Sequence, residues 1–171
     1  MKSIKTAFLL MLIATASMVA QAAGRPAIVG ISHVTLRSAD LGKSRQFYGR
    51  VLGLAEEPTG SSQRTRFRIN DHQYVELVAA GADAPADRLI EVGFEAKDVE
   101  AIRRYLGAHG VKVPDQVTEE KAGTRGFDVR DPEGHQICFE QFGTVADRGA
   151  PGHPISTHMI HAGFIVRDRA A

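Results

Sequence analysis

Three stretches of the chain share one shape. His33, Glu91 and His161 each begin an apolar run that reaches an aspartate seven residues later, at Asp40, Asp98 and Asp168. His33 and Glu91 stand 58 residues apart. A repeat at that period constrains the fold more than composition does, because each copy is one supersecondary unit whose apolar face must be covered by a neighbour.

Within the first copy, residues 28–36 alternate as a strand does, and Asp40 is placed to cap a helix carrying Leu41, Tyr48 and Leu52 on one face. Gly53 ends that helix, since glycine accepts the left-handed conformation common just past a helix C-terminus. Strands are then predicted over 64–69 and 73–79, joined through Asn70 and Asp71, with a short strand around 55–58. The second copy repeats the order: a strand over 90–96, a cap at Asp98, a helix striped by Val99, Ile102 and Leu106, and strands over 126–130 and 135–142. The turn Asp131-Pro132-Glu133-Gly134 joins those last two. The boundaries read as a first module over 23–80, a linker over 81–88, a second module over 89–143, and a loop with the first strand of an incomplete third module over 144–171. That lone strand either belongs to a longer multi-module protein or packs on the main body or a partner; the first is the expectation.

The N-terminal 22 residues read as a signal peptide. Lys2 and Lys5 precede an uncharged apolar run over 7–20, and Ala20-Gln21-Ala22 fits a cleavage site. The run is too short to span a bilayer, which takes about 20 residues. An exported protein with no membrane attachment after cleavage is expected. Cleavage leaves 19 basic against 20 acidic side chains, so nucleic-acid binding has no electrostatic support. Cys138 is the one cysteine, so the fold is held by packing and not by an internal disulfide.

Alternation also sorts the polar residues, because a strand sends successive side chains to opposite faces. Val34 and Leu36 oppose His33 and Thr35; Val75 and Leu77 oppose Glu76; Val92 and Phe94 oppose Glu91; Ile137 and Phe139 oppose Cys138 and Glu140. One face is apolar, for the helices. The other gathers His33, Glu76, Glu91 and Cys138, and burying carboxylates together there without a partner is costly, a cost that a divalent cation removes.

These residues resemble the vicinal oxygen chelate superfamily, which includes glyoxalase I, bleomycin-resistance proteins and extradiol dioxygenases. The resemblance covers roughly 27–142. It rests on His33 with the helix start at Asp40, on Phe47-Tyr48 before Val51-Leu52-Gly53, and on Asp131-Pro132-Glu133-Gly134 before the last strand. It implies an α+β fold of two paired βαβββ modules, forming a curved mixed sheet with the helices outside. Metal ligands come from the first and last strands of each module, and His33 and Glu76 match that pattern. Module two departs from it: Glu91 stands where many members have histidine, and Cys138 where they have glutamate, with Glu140 two residues on as a substitute. Three options stay open: His33, Glu76 and Glu91 with Cys138; His33, Glu76 and Glu91 with water; or no metal, with Cys138 only a small buried hydrophobe. Glu76 or Glu91 would be the general base. A divalent metal in such a site is expected to be zinc, nickel, manganese or iron; thiolate ligation by Cys138 favours zinc, and the three-ligand set suits a harder metal.

The function expected is a glyoxalase-like lyase or isomerase acting on a small molecule with adjacent oxygens. The alternative is a non-catalytic small-molecule-binding module of bleomycin-resistance type. Dioxygenase chemistry ranks lower, since it usually takes two histidines and one carboxylate on iron. Besides a small molecule, a second copy of the chain is the partner this reading admits.

Overall fold

The alternating runs pair into a single sheet. The computed structural model describes residues 24–85, 87–119, 123–143 and 153–163. The expected signal peptide lies outside these residues, as does the end of the chain from 164 onward. The strands are β1 (Ile28–Ser38), β2 (Ala55–Glu57), β3 (Arg64–Arg68), β4 (Tyr74–Ala79), β5 (Leu89–Ala96), β6 (Thr118–Glu119), β7 (Arg125–Arg130) and β8 (Gln136–Gln141). Their order across the sheet is β2-β3-β4-β1-β5-β8-β7-β6. Each copy is therefore a βαβββ module. β1 pairs with β4 in parallel, β5 with β8 in parallel, and the two modules join where β1 meets β5 antiparallel. This is the mixed α+β architecture that the family resemblance implied.

Both aspartates cap as expected. The Asp40 carboxylate accepts from the Lys43 amide at 3.0 Å, and the Asp98 carboxylate from the Ala101 amide at 2.9 Å. Helix α2 (Val99–Ala108) is regular. The first helix is not: α1 (Leu41–Arg45) widens into a π-helical stretch over Gln46–Val51, where the Leu52 amide donates to the Phe47 carbonyl five residues back. The wider turn keeps Leu41, Tyr48 and Leu52 on the sheet, and Gly53 then turns the chain at φ 71.

Each module has its own core on the helix side. Leu54, Phe67, Ile69, Val75 and Leu77 pack beneath α1, and Ala96, Val99, Ile102, Phe127, Val129 and Phe139 pack with α2. Residues 153–163 have no regular structure, including 160–163, where the third strand was expected to begin; the rest of that strand lies outside the described residues. The segment lies along module one. Ile155 donates to the Leu52 carbonyl, Gln73 exchanges hydrogen bonds with the Met159 backbone, and the Met159 side chain joins the first core. With both cores on the helix side, the opposite face of the central strands is left to polar side chains.

Candidate metal and proton-transfer site

That face meets at the junction of β1, β5 and β8. In register, His33 lies between Tyr74 and Gly93, and Gly93 lies beside Cys138; the neighbouring row runs Glu76, Thr35, Glu91 and Gln136. Gly93 is what allows the two modules to share a site. A β-carbon there would fall within the His33 ring, so glycine lets the imidazole lie across β5.

His33 is 3% exposed and engaged on both ring nitrogens. Its Nε2 is 2.7 Å from Glu91 Oε1 and its Nδ1 is 3.1 Å from Glu140 Oε2. The Tyr74 ring stacks on it at 4.6 Å, while the Tyr74 hydroxyl donates to Glu140 Oε1 at 2.8 Å. Burial alone would depress the imidazole pKa, but the hydrogen bonds that the ring donates to Glu140 and Glu91, with the charge of those carboxylates, outweigh it and raise it to about 9. His33 is thus an imidazolium at neutral pH, with a carboxylate on each side. Burial would raise the Glu140 carboxyl, but His33 more than offsets it and holds that group below the usual carboxylate range.

Beyond Gly93 a third carboxylate joins the group. Asp128 on β7 bonds the Cys138 thiol, and Gln136 donates to both Asp128 and Glu91. Burial and the charge of Glu91 push the Asp128 carboxyl up. Burial, followed by the charges of Glu140, Asp128 and Glu91, raises the Cys138 thiol. Three carboxylates therefore surround one imidazolium and one neutral thiol. Ligand atoms of His33, Cys138 and Glu140 all lie within 4.8 Å of one another, as do those of Glu91, Asp128 and Cys138. A cavity of about 440 Å³ opens onto Asp128, Cys138 and Glu140, with Thr124, Phe127 and Pro114 completing its wall; His33 and Glu91 lie behind that lining.

Of the four residues singled out in the sequence, His33, Glu91 and Cys138 come together. Glu76 does not: its carboxylate is drawn to the β3 side by Arg64 at 2.8 Å and Arg66 at 3.4 Å. Glu140, the substitute two residues past Cys138, reaches His33 because the ring bridges toward it. Asp128, Tyr74 and Gln136 were missed, although strand parity places each on the polar face opposite Val129, Val75 and Ile137.

A family model described as the glyoxalase/bleomycin resistance protein/dioxygenase superfamily matches residues 30–139. A search of curated protein sequences gives no match. Among solved structures, methylmalonyl-CoA epimerase from Mycobacterium tuberculosis is 18% identical with a TM-score of 0.54, over 68% of this chain and 89% of that one. A methylmalonyl-CoA epimerase in complex with methylmalonyl-CoA and NH4+ is 19% identical with a TM-score of 0.56, over 70% and 98%. A variant of homoprotocatechuate 2,3-dioxygenase from B. fuscum is 24% identical with a TM-score of 0.57, over 72% of this chain but 35% of its own length. At these identities the likeness speaks for the fold alone.

Two predictions follow from the geometry of His33. Its folded pKa lies above the unfolded value near 6.5, so its contribution to stability is complete below pH 6.5 and lost as pH rises through about 9. Chemical denaturation of the metal-free protein should show a loss of about 3 kcal/mol across that window, and His33→Gln should flatten it. Gly93→Ala should expel the ring from its place across β5 and destabilise the fold by about 1–3 kcal/mol, read from the same denaturation curves.

Proposed function

Because the chain belongs to the glyoxalase/bleomycin resistance protein/dioxygenase superfamily, we propose that it is an exported, divalent-metal-dependent isomerase or lyase acting on a small molecule with two adjacent oxygens. The observation that carries this reading is the charge of the cluster: the buried Glu140 and the partly buried Glu91 flank one imidazolium, and Asp128, at the exposed edge of the same face, adds a third carboxylate. Carboxylates gathered beside a buried imidazolium repel one another, and a divalent cation offsets that repulsion.

The donor set fits a cation. His33, Cys138 and Glu140 would hold it, combining imidazole, thiol and carboxylate within one reach, a mixture that suits zinc before magnesium. Cys138 stays a thiol while it faces only carboxylates, and on coordinating a cation it would release its proton to solvent. The bound cation would act as a Lewis acid on the paired oxygens of the substrate, making the adjacent C–H more acidic.

The chain's own residues supply the rest. Glu91 lies beside His33 with Gln136 fixing its second oxygen, and it serves as the general base that takes and returns the carbon-bound proton. Gln136 keeps that carboxylate oriented. Tyr74 donates to Glu140 and stacks on His33, so it fixes the direction of both. The cavity at Cys138 and Glu140 admits the substrate from the module-two side. Glu76 is not placed in this set, since Arg64 and Arg66 hold it away.

The test is metal content and cation titration of mature protein beginning at Ala23, purified without chelator or histidine tag, with zinc, nickel, manganese and iron each supplied. One equivalent of cation is expected, with affinity falling at least about 100-fold in His33→Ala and Glu140→Gln, or about 2.8 kcal/mol. Glu91→Gln should keep the cation and lose deuterium exchange into a panel of α-hydroxy ketones followed by NMR in D2O. No uptake of any of the four ions would overturn the metalloenzyme reading and leave a metal-free binding module in its place.

A further inference from the structure

Thr35 lies two residues beyond His33 on the same face. It is 4% exposed, and its hydroxyl is buried with no hydrogen-bond partner. A buried hydroxyl without a partner works against folding, because its bonds to water are lost and nothing replaces them.

The register shows both why the partner is missing and which group would supply it. Thr35 faces Glu76 on β4 and Glu91 on β5. Side chains directly opposed on one face of a sheet stand within about 4.5–5.5 Å at their β-carbons, so a hydroxyl at position 35 can meet a carboxylate on either side. Each carboxylate is held away from it. Arg64 and Arg66 draw Glu76 toward β3, and His33 and Gln136 draw Glu91 toward β8. Two guanidinium groups fix Glu76 where it is. Glu91 differs, because to act as a base it must turn from His33 toward the substrate.

We infer that Thr35 is a positioning residue for Glu91: its hydroxyl donates to the Glu91 carboxylate when that carboxylate leaves His33. The inference rests on Glu91 as the base in the proposed function. It explains a donor that is unused while Glu91 is held by His33. Glu91 then has two stations one residue-pair apart, at His33 and at Thr35, and Gln136 can follow it in both. Thr35 offsets the loss of the imidazolium contact, so the carboxylate can move without being stranded in a buried site.

The decisive experiment is a thermal-stability cycle on the metal-free protein. Thr35→Val preserves shape and removes the hydroxyl. In the wild-type background it should raise Tm by a few degrees, because the unpaired group is gone. In the His33→Ala background, where Glu91 has lost its first partner, Thr35→Val should instead lower Tm. Thr35→Ser should behave as wild type in both backgrounds. Adding Glu91→Ala to His33→Ala should restore the stabilising sign, which assigns the partner. An effect of the same sign in both backgrounds, or a fall in Tm on Thr35→Val alone, would overturn the inference. If His33→Ala does not fold, His33→Leu, which fills the space and offers no donor, replaces it with the same expectations. Metal uptake does not enter this cycle, so failure of the metal reading and failure of the Thr35 assignment are scored separately.

Discussion

The His33 imidazolium is the contact on which the site depends. It springs from β1 in module one, lies across Gly93 of β5 in module two, and meets Glu91 at 2.7 Å and Glu140 of β8 at 3.1 Å. A single ring thus spans the seam between the modules and neutralises carboxylates contributed by two strands of the second one. Without it, Glu91 and Glu140 would repel each other on a face already carrying Asp128. The arrangement needs a cation at this point, and in the described state the protonated ring provides it.

This arrangement makes the proton on His33 and a bound divalent cation alternatives. Each would compensate the same carboxylates, so a cation held by His33, Cys138 and Glu140 would take the place of the proton on the ring. Stability and function draw on one set of charges. Tyr74 and Gln136 lie around those charges and set where each carboxylate points, Tyr74 on Glu140 and Gln136 on Glu91.

Much of this was legible in the sequence because the relevant signals are local. The repeat from His33 to Glu91, with aspartates seven residues on, gave the two modules and both helix caps. Strand alternation gave the polar face that carries His33, Thr35, Glu91 and Cys138. Glu76 shows where alternation stops: parity places it on that face, but Arg64 and Arg66 on the neighbouring strand decide where its carboxylate goes, and strand pairing is not local information. Asp128 was missed for the same reason, since only the register of β7 against β8 sets it beside Cys138. The π-helical widening at 46–51 carries no period of its own, because the apolar positions Leu41, Tyr48 and Leu52 read equally well as an ordinary helix. The expected leader lies outside the described residues and rests on the sequence.

The central claim is that the buried carboxylates are compensated by a cation, which in the metal-free protein is the proton on His33. The most direct measurement is 15N-resolved NMR of the histidine ring in metal-free protein at pH 7.5, before and after one equivalent of zinc. The account predicts that both His33 ring nitrogens are protonated beforehand, with a titration midpoint near 9, and that zinc converts the ring to a neutral, singly protonated form. A His33 ring already neutral at pH 7.5 without metal, titrating near 6.5, would contradict it.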